Sequence, residues 1–179
     1  MSATPALPPA AIAALLAATA STITAEVTAL GHDGGWRPAP GEWSVNECIG
    51  HLIEAERRGF AGRIRRILAA DRPDLPPDLE SWDPPAVALE RRDHERDGAD
   101  LAAEFAVLRA DGVALVQSLG AVDLTRMGRH PDVGELRVGE LIGEWVFHDH
   151  NHVRQLLAVT QARAWEQMGN ARRFSLDEA

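Results

Sequence analysis

A helical hydrophobic period that recurs four times, broken each time by a stretch rich in Gly, Pro and Asp, is the feature that most constrains this chain. Ile12, Leu15, Leu16, Thr19, Ile23, Val27 and Leu30 share one helical face behind Pro8 and Pro9, which are tolerated at a helix start. A second period opens at Ser44-Val45-Asn46-Glu47, a capping-box spacing, and continues through Cys48, Ile49, Leu52, Ala55, Phe60, Ile64 and Ile67. Leu101, Phe105, Leu108, Leu115, Val116 and Leu119 mark the third; Leu141, Ile142, Trp145, Val153, Leu156 and Val159 mark the fourth. Helices are therefore expected at about 8–30, 44–70, 98–119 and 138–162. GHDGGWRPAPGEW, the proline-rich DRPDLPPDLESWDPP (71–85) and LGAVDLTRMGRHPDVGELR read as connections, because each proline lacks a donor and displaces its predecessor from the α region. No segment alternates with period two between hairpin dipeptides, so no sheet is expected. The prediction is a single all-α domain over residues 1–179, a four-helix bundle with its sites between facing helices.

Composition narrows the chemistry. A chain of 179 residues can bury a real core, and its net charge of -9 opposes binding to nucleic acid or anionic lipid. All 18 basic residues are arginine, which excludes Schiff-base chemistry, a P-loop and a lysine base, and tyrosine is absent. The single cysteine, Cys48, cannot form an internal disulfide and fits a reducing compartment. PALPPAAIAALLAATA reads as a helix rather than a signal peptide, since no Arg precedes Arg37, and no uninterrupted apolar run approaches the roughly 20 residues that span a bilayer. A cytoplasmic location without nucleic-acid or membrane partners is the expectation.

VFHDHNHVRQLL, residues 146–157, falls inside the fourth helical period, so His148 and His152, four apart, point together while His150 points elsewhere. The pair is not HExxH, because Asp149 stands where the general base would be. A third ligand must come from a facing helix, and the second helix supplies His51 in ECIGHLIEAE. All three lie at the edges of their apolar stripes, where a bundle core meets solvent. Three neutral imidazoles with open positions make a metal site of the catalytic type. His32, His94 and His130 lie in loops or beside charged runs and are not assigned to it.

The stretches GEWSVNECIGHLIEAE, DLAAEFAVLR and GELIGEWVFHDHNHVRQL resemble the DinB-like (damage-inducible) metal-binding four-helix bundles, from about residue 40 to 160. The resemblance implies an up-down-down-up bundle with one long cross-connection, which the 71–85 segment can supply. It implies a divalent metal, usually nickel or zinc, on His51, His148 and His152, and a homodimer, for which Trp82 and Trp165 are exposed aromatic candidates. It also implies, for some relatives, thiol S-transfer with bacillithiol or mycothiol. One departure is Arg137-Val138 at the start of the fourth helix, where relatives often carry a capping Thr or Ser.

Asp149 projects into the fourth helix's apolar stripe, where a lone carboxylate is expensive, so it needs a partner. Either it fixes a ligand histidine's tautomer or, preferred here, it accepts from an indole N–H such as that of Trp43 or from loop amides. Arg58 and Arg65, seven and fourteen residues after His51, either hold the carboxylates of an anionic thiol or form a solvated face with Glu47 and Glu54. Glu54 and Glu56 are divided between proton transfer and surface, and Cys48 between ligand, nucleophile and core. Two function classes follow. One is a metal-dependent enzyme acting on a small-molecule substrate, first as a thiol S-transferase and second as a metal-hydroxide hydrolase. The other is a non-catalytic metal- or ligand-binding stress-response module.

Overall fold

The structure, a computed structural model, describes residues 6–72 and 75–176; residues 73 and 74 of the expected proline-rich connection lie outside it. Four long helical segments form the bundle: α1 (Pro9–Leu30), α2 (Val45–Glu54) continuing through a π turn (Ala55–Gly59) into α3 (Ala61–Leu68), α5 (Gly98–Ser118) and α7 (Val138–Trp165). Short elements complete it: α4 (Pro84–Arg91), α6 (Ala121–Thr125), a hairpin of β1 (Met127–His130) and β2 (Gly134–Arg137), and α8 (Arg172–Leu176).

Chain direction follows from which ends meet. Gly98, opening α5, lies against the Val27 carbonyl near the end of α1 and beside Asn46 near the start of α2. Leu16, near the start of α1, shares a core cluster with Ile64 of α3, Val116 near the end of α5 and Leu141 near the start of α7. Helices α1 and α7 therefore run one way and α2–α3 and α5 the other, the up-down-down-up order. Two consecutive segments that run the same way require a return crossing, made by residues 69–97. This crossing is docked: the Leu79 N–H donates to Arg129 O at 2.8 Å, and Arg129 N–H donates to Pro77 O at 2.9 Å.

Two apolar clusters fill the bundle, one around Leu16, Phe60, Ile64, Leu141 and Trp145, the other around Ile23, Ile49, Leu101, Phe105 and Leu156. Each such side chain contributes about 1.5–3 kcal/mol by leaving water. By length and composition alone, Pro9–Gly35 is apolar enough to cross a bilayer, contrary to the expectation from uninterrupted runs. In this fold its Ile12, Leu16, Ile23 and Val27 stripe is the bundle's own interior.

The predicted capping box is present: Ser44 Oγ accepts from the Glu47 amide at 3.2 Å and the Ser44 amide donates to Glu47 Oε2 at 2.8 Å. Arg137 has no capping side chain, yet its amide donates to Glu140 Oε2 at 2.8 Å, which restores half of such a box. Two expectations are corrected. A two-stranded antiparallel hairpin is present, because Pro131, Asp132 and Val133 turn the chain and Gly134 takes the left-handed conformation, φ +80°, that closes such a loop. Four-residue strands are too short for alternation to show. Residues 84–91, of which 84 and 85 close the expected 71–85 connection and the rest fall in no expected helix, are helical because Asp83 accepts from the Ala86 amide and the prolines occupy the first turn, where their missing donors cost nothing. Trp82 and Trp165, expected on a dimer surface, are half-buried and engaged within the chain: Trp82 stacks on His51, and Arg172 lies over Trp165.

Candidate metal centre

Helix α2 presents His51 in its last turn, and α7 presents His148 and His152 one turn apart on the facing side. The three converge: one ligand atom from each lies within 4.8 Å of the others, and His51 Nε2 is 3.0 Å from His148 Nε2. His150 is exposed and directed away. Burial, followed by the neighbouring imidazoles, pushes His51 down to about 3; burial, then His152 and Arg109, does the same to His148. Burial also lowers His152, against the opposing pull of Gln155 and Asp149. The rings are therefore neutral, with lone pairs free to bind.

The residues fit a divalent ion. A separation of about 3 Å suits two nitrogens each ~2.0–2.1 Å from a shared ion. Nδ1 of His51 and of His148 is buried without a partner, so neither ring is committed to a protein hydrogen bond on its far side. His152 is oriented by Gln155, whose Oε1 lies 2.9 Å from its Nδ1 and accepts that proton, leaving Nε2 bare. Aromatic rings wall the cluster. Trp82 stacks on His51 at 5.5 Å, Trp43 lies 5.3 Å from His51 and 6.4 Å from His152, and Phe60 meets His148 edge-on at 5.1 Å. A pocket of about 600 Å³ opens beside His152, lined by Trp43, Gln155, Ala158 and Val159 among others.

The buried carboxylates near the centre are engaged by arginines, whereas exposed Glu42 lines the pocket beside His152. Asp149 is fully buried, but its partner is neither Trp43 nor a loop amide: Arg109 Nη2 donates to Oδ1 at 3.0 Å, Nη1 donates to Oδ2, and Thr19 Oγ1 donates to Oδ2 at 2.7 Å. Glu56 is buried as well, accepting from Arg109 Nε at 2.8 Å and Trp145 Nε1 at 3.1 Å. Burial raises Glu56 to about 7, Asp149 adding to the effect and Arg109 opposing it. Glu54 lies under Arg57, Arg58 and Arg91; burial opposes its ionisation, but these guanidiniums hold it below the usual carboxylate range. Cys48 is fully buried, and burial pushes its thiol up to about 12, which makes it a core residue.

Arg58 is ion-paired to Glu54 at 2.7 Å and lies over the Trp82 ring, one indole away from His51. Arg65 is exposed and does not share the cleft that Arg58 lines with Arg57, Arg63 and Arg66; the π turn between them changes the helical phase, so a seven-residue spacing does not carry across it. His130 is buried at the end of β1 against Arg63, with its Nε2 2.9 Å from Nη2. Arg109 and Gln155 were missed. The signal for Arg109 was an arginine at helical spacing with Phe105, Gly112 and Val116 on the third helix's apolar face; that for Gln155 was an amide one turn after His152.

Comparison with known proteins agrees with this architecture. The family model described as the DinB superfamily matches residues 14–156. Relatives include an Oceanobacillus iheyensis protein named "Putative metal-dependent hydrolase", 21% identical over 126 residues, covering 70% of this chain and 69% of that protein. A Bacillus cereus protein of the same name is 22% identical over 131 residues, with coverage of 70% and 69%. Among solved structures, YfiT from Bacillus subtilis, described as a probable metal-dependent hydrolase with an unusual four-helix bundle topology, superimposes with a TM-score of 0.78. That match has 16% identity and covers 92% of this chain and 94% of YfiT.

Proposed function

The chain belongs to the DinB superfamily, and from that premise we propose that it is a metal-dependent enzyme transferring a low-molecular-weight thiol to a small electrophile. The observation that carries the metal dependence is the convergence of His51, His148 and His152 within 4.8 Å. An ion held by these three neutral imidazoles, nickel or zinc on the family resemblance, supplies Lewis acidity that acidifies a coordinated thiol or water.

The thiol is the nucleophile that asks least of the protein. The buried carboxylates around the centre are engaged by arginine, Glu54 by three and Glu56 and Asp149 by Arg109, while exposed Glu42 lines the pocket beside His152. A nucleophile with an ordinary pKa of about 8.5 needs less help than one at about 15.7. Trp43, Trp82 and Phe60 wall the imidazoles with apolar rings, and the pocket beside His152 has room for an electrophile. Hydrolysis is the second reading, supported by the names that the relatives carry.

Metal analysis joined to an activity panel tests both. Protein purified without chelator should hold about one divalent ion per chain, lost in His51→Ala, His148→Ala and His152→Ala and kept in His150→Ala. Electrophiles should be consumed only when a thiol such as mycothiol or bacillithiol is supplied. Turnover without thiol supports the hydrolase, and turnover that survives removal of the metal rejects both.

A further inference from the structure

Beside the imidazoles lies a concentration of positive charge that the histidine centre does not use. At the π turn the helix changes phase, and Phe60 leaves it at φ -100°, ψ -74°. Gly62 then comes so close to the Arg57 carbonyl that a Cβ there would lie 2.0 Å from its oxygen. Arg57 and Arg58 from the turn and Arg63 and Arg66 from α3 consequently line one cleft of about 230 Å³, with Glu80 as the one carboxylate in its lining. In a chain of net charge -9, four guanidiniums around one small cleft are not an averaged surface.

Internal pairing leaves this charge incompletely neutralised. The single charge of Glu54 is divided among Arg57 at 3.1 Å, Arg58 at 2.7 Å and Arg91 at 2.8 Å. Arg57 also reaches Glu104 at 2.7 Å. Arg66 is 4.0 Å from Glu80 with both side chains largely exposed, a pair that contributes little. Arg63 is half-buried and, among the described residues, has no carboxylate within ion-pair distance, although Glu144 and Asp132 act on it from farther off. Its Nη2 donates to the Glu80 carbonyl at 3.0 Å and contacts His130, while its Nε is buried with no partner. A buried donor without an acceptor is costly, and an incoming oxygen would relieve it.

We propose that this cleft is an oxyanion subsite that seats a carboxylate or phosphate group of the small molecule acted on at the three histidines. Arg58 sits 5.8 Å from the Trp82 ring centre and Trp82 stacks on His51 at 5.5 Å, so a single indole separates the cleft from the metal centre. One small anionic thiol can therefore place its sulfur at the imidazoles and its oxyanion on the arginines. Assigning the anion to the thiol rests on the function proposed above; the anion binding itself does not. Planar guanidinium forks match both oxyanions, so the donor geometry leaves the choice between them to experiment.

The test is titration of the full metal-loaded chain with succinate and with methyl phosphate, at constant ionic strength with chloride as reference, followed by calorimetry and tryptophan fluorescence. At least one should saturate at one site per chain, and which binds tighter identifies the oxyanion. Arg63→Gln and Arg66→Gln should each weaken binding about tenfold or more, as expected for a hydrogen bond to a charged group. Arg173→Gln, on the remote exposed α8, should leave it unchanged. Arg66 is exposed, so its variant decides the matter if Arg63→Gln does not fold. His51→Ala should lose metal and retain anion binding; if the metal-loaded wild type transfers no thiol while it still binds the anion, the reaction reading falls and the subsite stands. Neither anion binding above the chloride reference, or binding unaltered in both glutamine variants, overturns the proposal.

Discussion

Arg109 of α5 and Asp149 of α7 meet fork to fork in the interior of the bundle, Nη2 donating to Oδ1 at 3.0 Å and Nη1 to Oδ2. The same guanidinium donates from Nε to Glu56 at 2.8 Å and from Nη1 to the Leu16 carbonyl at 3.1 Å, so one cation ties α1, the π turn, α5 and α7 together. This polar layer separates the two apolar clusters and lies one residue from His148. It fixes the rotation of α7 about its axis and thereby aims His148 and His152 at α2.

Removing that cation strands two buried carboxylates. Arg109→Met should cost about 3–5 kcal/mol in urea denaturation, whereas replacing Arg109, Asp149 and Glu56 together with apolar residues should recover most of the loss. A loss within about 0.5 kcal/mol for Arg109→Met, the size of an ordinary surface change, would show that the layer does not hold the helices.

Gly112→Ala should destabilise although alanine is the better helix former by about 1 kcal/mol. A Cβ there would lie 2.7 Å from Trp145 Cη2 and 2.8 Å from Glu56 Oε2, both packed groups with nowhere to go. Overpacking of this kind costs about 1–3 kcal/mol, so the denaturation midpoint should fall; a midpoint that rises contradicts the packing described.

The metal-free chain should weaken in acid. His51 and His148 are held down to about 3 in the folded state against 6.5 ordinarily, so the unfolded chain binds more protons between those values. Their contribution is fully present above pH 6.5 and is lost as the pH falls from there toward 3. Denaturation midpoints of chelator-treated protein between about pH 7.5 and 4 should drop more steeply for the wild type than for His51→Asn. Equal slopes would mean the imidazoles do not carry the effect.

Gln155→Ala should lower metal affinity by about 10–100-fold while leaving the fold intact, because Gln155 Oε1 selects the His152 tautomer with a bare Nε2. Gln155→Glu keeps the acceptor and should retain affinity. Competition with a chromogenic chelator measures both, and an unchanged affinity in the alanine variant removes Gln155 from the centre.

The four long helices, the Ser44 capping box and the pairing of His148 with His152 were legible in the residues alone, because each depends on neighbours within a turn or two of the chain. The β1–β2 hairpin was hidden by strands of only four residues. Helix α4 was hidden by prolines that here open a helix instead of ending one.

What tertiary structure alone decided is how the turns are phased and which distant groups meet. Local periodicity assigns each side chain to a face, and so it determined the bundle, its core and the direction of the three histidines. It assumes an unbroken helix, and the π turn at Ala55–Gly59 breaks that assumption, bringing Arg58 to Trp82 and into a cleft with Arg63 and Arg66 that Arg65 does not line. Nor does a face specify its partner across the bundle: Asp149 needed a cation from somewhere, and only the packing of α5 against α1 and α7 made that cation Arg109. The physical reason is that hydrogen bonds within a helix are set by separation along the chain, whereas the neutralisation of a buried charge is set by separation in space.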